Sequence, residues 1–124
     1  MSLSIIIPLK NEDEIIIDTL QFLERSWIKD INHEIILIDD FSSDNTWNLI
    51  SSYQNKTLNI KSFKNKRPGL GPAISTAIKK STNKYFCLFM SDLSDNIEDL
   101  KTYYETIKNN DLDAVFGSRF IKGS

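Results

Sequence analysis

Two pairs of carboxylates close apolar runs in this sequence. Asp39 and Asp40 stand side by side after "EIILI", residues Glu34–Ile38, and Asp92 and Asp95 follow "YFCLFM", residues Tyr85–Met90. A carboxylate at the end of a buried strand can accept hydrogen bonds from a ligand, or hold a hard cation against phosphate oxygens. Side-chain alternation sends Asp39 and Asp40 to opposite faces, so one of them is expected to face a crevice. Asp95 has a competing role, because Asp95-x-x-Glu98 resembles a capping box and would start the next helix.

Three other segments carry polar chemistry. "PLKNE", Pro8 to Glu12, follows the first apolar run; Glu12 can accept hydrogen bonds, or Asn11 and Glu12 can simply begin a helix and favour its dipole. "KNKRPGLGP" joins Lys64, Lys66 and Arg67 to glycines that allow close backbone approach, before a helix N-terminus that favours negative charge. Solvated basic residues are the plainer reading of that loop. "GSR", Gly117 to Arg119, ends the last apolar run, and a guanidinium suits phosphate through its fork of donors. His33 has no ligand-spaced partners and reads as structural or surface.

The elements that must position these groups alternate along the chain. Apolar runs at Ser4–Ile7, Glu34–Ile38, Leu58–Phe63, Tyr85–Met90 and Ala114–Gly117 read as strands, the third alternating like an edge strand and the fourth apolar enough to be covered on both faces. Between them, Ile16, Leu20, Leu23 and Trp27 have helical spacing, as do Trp47, Ile50 and Tyr53, then Ala73, Ile74, Ala77 and Ile78, then Leu100, Tyr104 and Ile107. Asn11 with Glu14 is expected to cap the first helix, Ser43 the second, and Pro72 fits the first turn of the third. Asp44 and Thr46 read as turn and helix-start residues. Tyr103, Tyr104, Phe86 and Phe89 are expected in the core. The order implies an α/β fold, a three-layer α/β/α sandwich on a mainly parallel sheet. Ligands bind such sheets beyond the carboxyl ends of the strands, where all the polar segments should converge.

With 124 residues, one domain with a real core is expected. A net charge of −2 offers no basic face for nucleic acid. The lone Cys87 excludes an internal disulfide and reads as a buried inert thiol, consistent with a reducing cytoplasm. No stretch reaches the roughly 18–20 apolar residues of a membrane span, and no signal peptide is expected at the start. A receiver domain would share five parallel strands and an acidic pair, but its acids should follow the first strand rather than the second.

"IIIPLKNE", "IILIDDFSSDNT", "PGLGPAISTAI", "FMSDLSDNIEDL" and "VFGSRFIKGS" occur in the order and spacing of family 2 glycosyltransferases of the GT-A fold. The sequence most resembles polyprenol- or dolichol-phosphate mannosyltransferases, over their nucleotide-sugar half; family members continue for roughly another hundred residues on the acceptor side. The resemblance implies a 1–124 domain that binds a nucleoside-diphosphate sugar for transfer, with inversion, to an acceptor such as a membrane lipid phosphate at the cytoplasmic face. It assigns Pro8, Asn11, Glu12, Ile38, Asp40, Arg67, Met90, Ser91, Asp92 and Arg119 to the nucleotide sugar, with Asp39 supporting the loop and Asp92 and Arg119 as the catalytic pair. Mg2+ or Mn2+ would be held by Asp92 with Ser94. Met90 replaces the first acid of the family's Asp-x-Asp, so a weak or substrate-dependent metal site is expected. The alternative is a non-catalytic nucleotide-sugar-binding or assembly module. Apolar surface on the acceptor side would favour self-association into a dimer.

Overall fold

A computed structural model describes residues 3–81, 85–89, 97–110 and 120–122. Strand β1 (Leu3–Leu9) leads to helix α1 (Ile16–Glu24) and a 3-10 turn at Trp27–Asp30. Then follow β2 (His33–Asp39), α2 (Thr46–Ser51), β3 (Ile60–Lys64), α3 (Leu70–Lys80), β4 (Tyr85–Leu88), α4 (Ile97–Asn110) and β5 (Phe120–Lys122). The strands form one sheet in the order β3-β2-β1-β4-β5. The first four are mutually parallel, with Leu3 opposite His33 and Leu9 opposite Asp39. β5 runs antiparallel to β4.

Alternation along β1 and β2 splits the core into two layers. Leu3, Ile5, Ile7 and Leu9 face the side of Ile16, Leu20 and Leu23 from α1, Ile50 from α2, and Leu100 and Tyr104 from α4. Ile6, Ile36, Ile38 and Phe86 face the other side, where Ala73 and Ala77 let α3 lie close. Each fully buried Leu or Ile contributes roughly 1.5–3 kcal/mol, so the central strands rather than helix propensity hold the domain together. Cys87, Phe86, Phe89 and Tyr104 are buried as expected. β3 is indeed the edge strand. His33 is structural: its Nδ1 lies 2.9 Å from the Ile31 carbonyl and its Nε2 accepts the Asn59 N–H.

Two local expectations are corrected, and a third is not tested. Helix α1 begins at Ile16 with no side-chain cap, because Asn11 takes a positive φ of 53° and its side chain bonds to another loop instead. Helix α2 begins at Thr46, whose N–H donates to Asp44 rather than Ser43. The last described strand is Phe120–Lys122 and antiparallel, while the run Ala114–Gly117 lies outside the described residues.

Candidate functional site

At the carboxyl ends of β1 and β2 lies an open hollow of about 240 Å³, lined by Pro8, Leu9, Lys10, Glu12, Asp40 and Leu70. Pro8 helps to shape it. The Phe89 N–H donates to the Ile6 carbonyl, and the next bond of that parallel ladder would need an N–H at residue 8. Proline has none, so the pairing of β1 with β4 ends there, at the point where the strand order reverses from β1 outward.

The loops on either side of the hollow are fastened together by short polar side chains. Three successive backbone N–H groups of the β1–α1 loop donate across the gap: Asn11 to Ser42 Oγ at 2.9 Å, Glu12 to Thr46 Oγ1 at 2.9 Å and Asp13 to Asp44 Oδ2 at 3.3 Å. The traffic also runs back, from the Ser43 N–H to Asn11 Oδ1 at 2.8 Å and from the Asn45 N–H to Asp13 Oδ2 at 3.2 Å. Asp44 Oδ1 accepts both the Thr46 N–H and the Thr46 hydroxyl. Desolvation raises the Asp44 carboxyl, but these hydrogen bonds from Thr46 and Asp13 together outweigh it and hold the group below its ordinary value of 3.8.

Asp40 fastens the third loop. Its Oδ1 accepts the Gly69 N–H at 3.0 Å and Asn65 Nδ2 at 3.1 Å, and Oδ2 lies 3.2 Å from the same Gly69 nitrogen. Gly69 has a φ of 115°, which a side chain would strain. Asn65 is buried; its amide nitrogen also donates to the Gly69 carbonyl, leaving its Oδ1 without a partner among the described residues. Two acceptors around the amide nitrogen settle which way the side chain points. Buried Asp39 likewise keeps Oδ1 unpartnered among the described residues, while its backbone carbonyl accepts the Asn65 N–H.

Of the residues assigned from the sequence, Pro8, Glu12 and Asp40 therefore share one hollow. Asn11 is exposed and serves the loop junction. Ile38 is fully buried in the layer beneath α3, so its side chain packs rather than faces solvent. Arg67 is exposed on the β3–α3 loop. Met90, Ser91, Asp92, Ser94 and Arg119 lie outside the described residues. Among the described residues no three His, Cys, Asp or Glu side chains are placed to share a metal ion, and no helix is long and apolar enough to cross a membrane. Sequence reasoning missed Asn65 and the Ser42–Thr46 fastening. The available signal was a run of short polar residues in the loop following a strand adjacent to β1.

Comparison with known proteins bears on the family and the fold. A family model described as Glycosyl transferase family 2 matches residues 4–124. The dolichol-phosphate mannosyltransferase of Pyrococcus furiosus is 32% identical over 127 residues, which cover 99% of this chain and 34% of the relative. The dolichyl-phosphate beta-glucosyltransferase of Dictyostelium discoideum is 35% identical, covering 94% of this chain and 39% of the relative. The crystal structure of S. aureus TarS 1–349 in complex with UDP-GlcNAc superposes with a TM-score of 0.75 at 27% identity, over 92% of this chain and 33% of that one. The chain thus spans about a third of the length of these three proteins. Its mostly parallel sheet, its flanking helices and the match along nearly all its residues make it a member of glycosyl transferase family 2, with the GT-A fold.

Proposed function

We propose that residues 1–124 form the nucleotide-sugar-binding part of an inverting glycosyltransferase. The observation that carries this reading is the hollow beyond β1 and β2, whose Pro8, Glu12 and Asp40 are the residues that the family pattern assigns to base and ribose. Glu12 and Asp40 offer acceptors for hydroxyl and N–H groups. TarS has been solved with UDP-GlcNAc and with UDP, which supports a nucleoside-diphosphate sugar as donor here. In the reaction an acceptor oxygen bonds to the anomeric carbon, the bond from that carbon to the diphosphate oxygen breaks, and the nucleoside diphosphate leaves with the electron pair. Arg119 is assigned to stabilise the leaving charge. A polyprenyl phosphate acceptor, in keeping with the names of the P. furiosus and D. discoideum relatives, is already ionised and needs little help from a base.

A divalent cation, Mg2+ or Mn2+, is assigned to Asp92 with Ser94, where it would neutralise diphosphate charge. The Pyrobaculum calidifontis mannosyltransferase solved with GDP-Man and Mn2+ shares the fold. With Met90 in place of an acid, cation binding should be millimolar or dependent on nucleotide, and Met90→Asp should strengthen it. A thermal-shift screen of nucleoside diphosphates, with and without Mn2+, tests the reading. A rise in Tm with at least one nucleotide, larger with Mn2+, is expected; no shift with any of them sinks it.

A further inference from the structure

Two large apolar side chains are conspicuously exposed among the described residues, Phe41 at 52% and Leu70 at 50%. Leu70 lines the hollow, and Phe41 directly follows Asp40, which also lines it. A lone exposed hydrophobic residue is ordinary. One that lines the hollow from the first turn of α3, and one in the residue after Asp40 on a different segment, are not explained in that way.

The backbone at Phe41 adds an independent reason. Its φ is +56°, a left-handed conformation that is a genuine outlier for a bulky residue. Were a tight turn the only need, a residue that tolerates this region would meet it. The facing loop does so at Asn11, which has a φ of +53°. Bonds on both sides fix the conformation at 41. The Asp40 N–H donates to the Leu9 carbonyl at 2.7 Å, Ser42 Oγ accepts the Asn11 N–H, and the Ser43 N–H donates to Asn11 Oδ1. The ring is thus held in solvent by a fixed backbone, and strain of this kind concentrates at ligand clamps.

We infer that Phe41 and Leu70 form an apolar lip that contacts the flat face of the nucleobase, making Phe41 a residue that sets nucleotide affinity at the donor site. The inference rests on the nucleotide-sugar reading above. The size of the hollow agrees with it. At about 240 Å³ it is smaller than the roughly 300–1,000 Å³ that takes a whole small ligand, so it suits one ring system, with the diphosphate lying outside. A planar base carries the apolar face that such a lip can cover; a diphosphate or a sugar offers much less.

Calorimetric titration of the chain with UDP, GDP and inorganic pyrophosphate tests this, comparing wild type, Phe41→Gly and Phe41→Tyr. Phe41→Gly should keep or raise Tm, since glycine is at ease at this φ. It should weaken the nucleoside diphosphate that binds wild type by about fivefold or more, the low end of base–aromatic stacking, and leave pyrophosphate unchanged. Phe41→Tyr should bind like wild type. Equal nucleotide affinity in wild type and Phe41→Gly overturns the lip while leaving the donor-site reading intact. An equal loss for pyrophosphate, or a fall in Tm, also overturns it, by showing a loop or core role for the ring. If wild type binds neither nucleotide, the donor-site reading fails and the lip fails with it.

Discussion

Strand β2 carries Glu34 near its amino end, and Asp40 stands just past its carboxyl end; the two acids are treated in opposite ways. Glu34, at the amino end, is 2% exposed; its Oε1 accepts the Ser4 hydroxyl at 2.9 Å and its Oε2 the Lys61 ammonium at 3.0 Å. The Ser4 hydroxyl in turn meets Ser81 at 2.6 Å, so the last turn of α3 is locked to the sheet. Asp40, six residues and about 20 Å further on, accepts only neutral donors, the Gly69 N–H and the Asn65 amide. No cation lies within ion-pair distance of it among the described residues. The amino end is internally neutralised and closed. The carboxyl end keeps a partly exposed carboxylate with lone pairs to spare, together with positive-φ residues at 11, 41 and 69. One strand thus has a structural end and a receptive end, and the difference lies in what neutralises its acids.

The sharpest way to break that contrast is at Lys61. Lys61→Met removes a cation from a buried carboxylate, and stability should fall by about 3 kcal/mol, toward the low end for a broken buried pair because Lys61 is itself partly exposed. Nucleotide affinity should not move. Adding Glu34→Gln should recover most of the loss, since removing both charges leaves less buried charge to compensate. Urea unfolding measures the first effect and calorimetry the second; a change in affinity would show that the two ends are coupled. Next in size is Asp40→Ala. Losing charge-assisted hydrogen bonds to Gly69 and Asn65 should cost about 2 kcal/mol. Here nucleoside-diphosphate affinity should drop about tenfold or more, the opposite pattern to Lys61.

How far the sequence reveals these two ends follows from the range of the interactions. The β/α alternation was legible because apolar runs such as "SIII" and "EIILI" report burial directly, and parallel order follows from helical crossovers. Convergence of Pro8, Glu12 and Asp40 was legible for the same reason: strand ends in a parallel sheet share an edge. Caps were misjudged where a local pattern lost to a tertiary one. Asn11 and Ser43 each fit a helix start, yet they bond to one another across the gap between two loops. Asn65 was invisible because its role depends on Asp40 and Gly69 being brought together.

Smaller effects extend the contrast to pH. At the amino end, where α1 and α2 finish, the Tyr53 hydroxyl donates to Glu24 at 2.6 Å. Burial, then the hydrogen bond and charge of Glu24, push its phenol up to about 12 from 10.0. A raised folded value means the contribution is complete below pH 10 and is lost as pH climbs through 12. After allowance for solvent screening it amounts to about 1 kcal/mol. Tyr53→Phe should flatten that alkaline limb in urea midpoints measured from pH 9 to 12, without changing nucleotide affinity at neutral pH.

The least effect belongs to Asp44, at the receptive end. Its folded value lies below 3.8, so the sign is reversed: the contribution is present above the unfolded value and disappears as pH falls through the folded one. The carboxyl is exposed, which keeps the change in global stability small, but its protonation loosens acceptors of the Asp13 and Thr46 N–H groups. Asp44→Asn should therefore flatten the slope of the urea midpoint below pH 4 while leaving the alkaline limb to Tyr53. Amide exchange should report the loss locally, at Asp13 and Thr46, with no change around Ser4 and Glu34. Acid that loosened both ends together would mean that the sheet transmits strain between them, and the division of β2 into a closed end and a receptive end would fail.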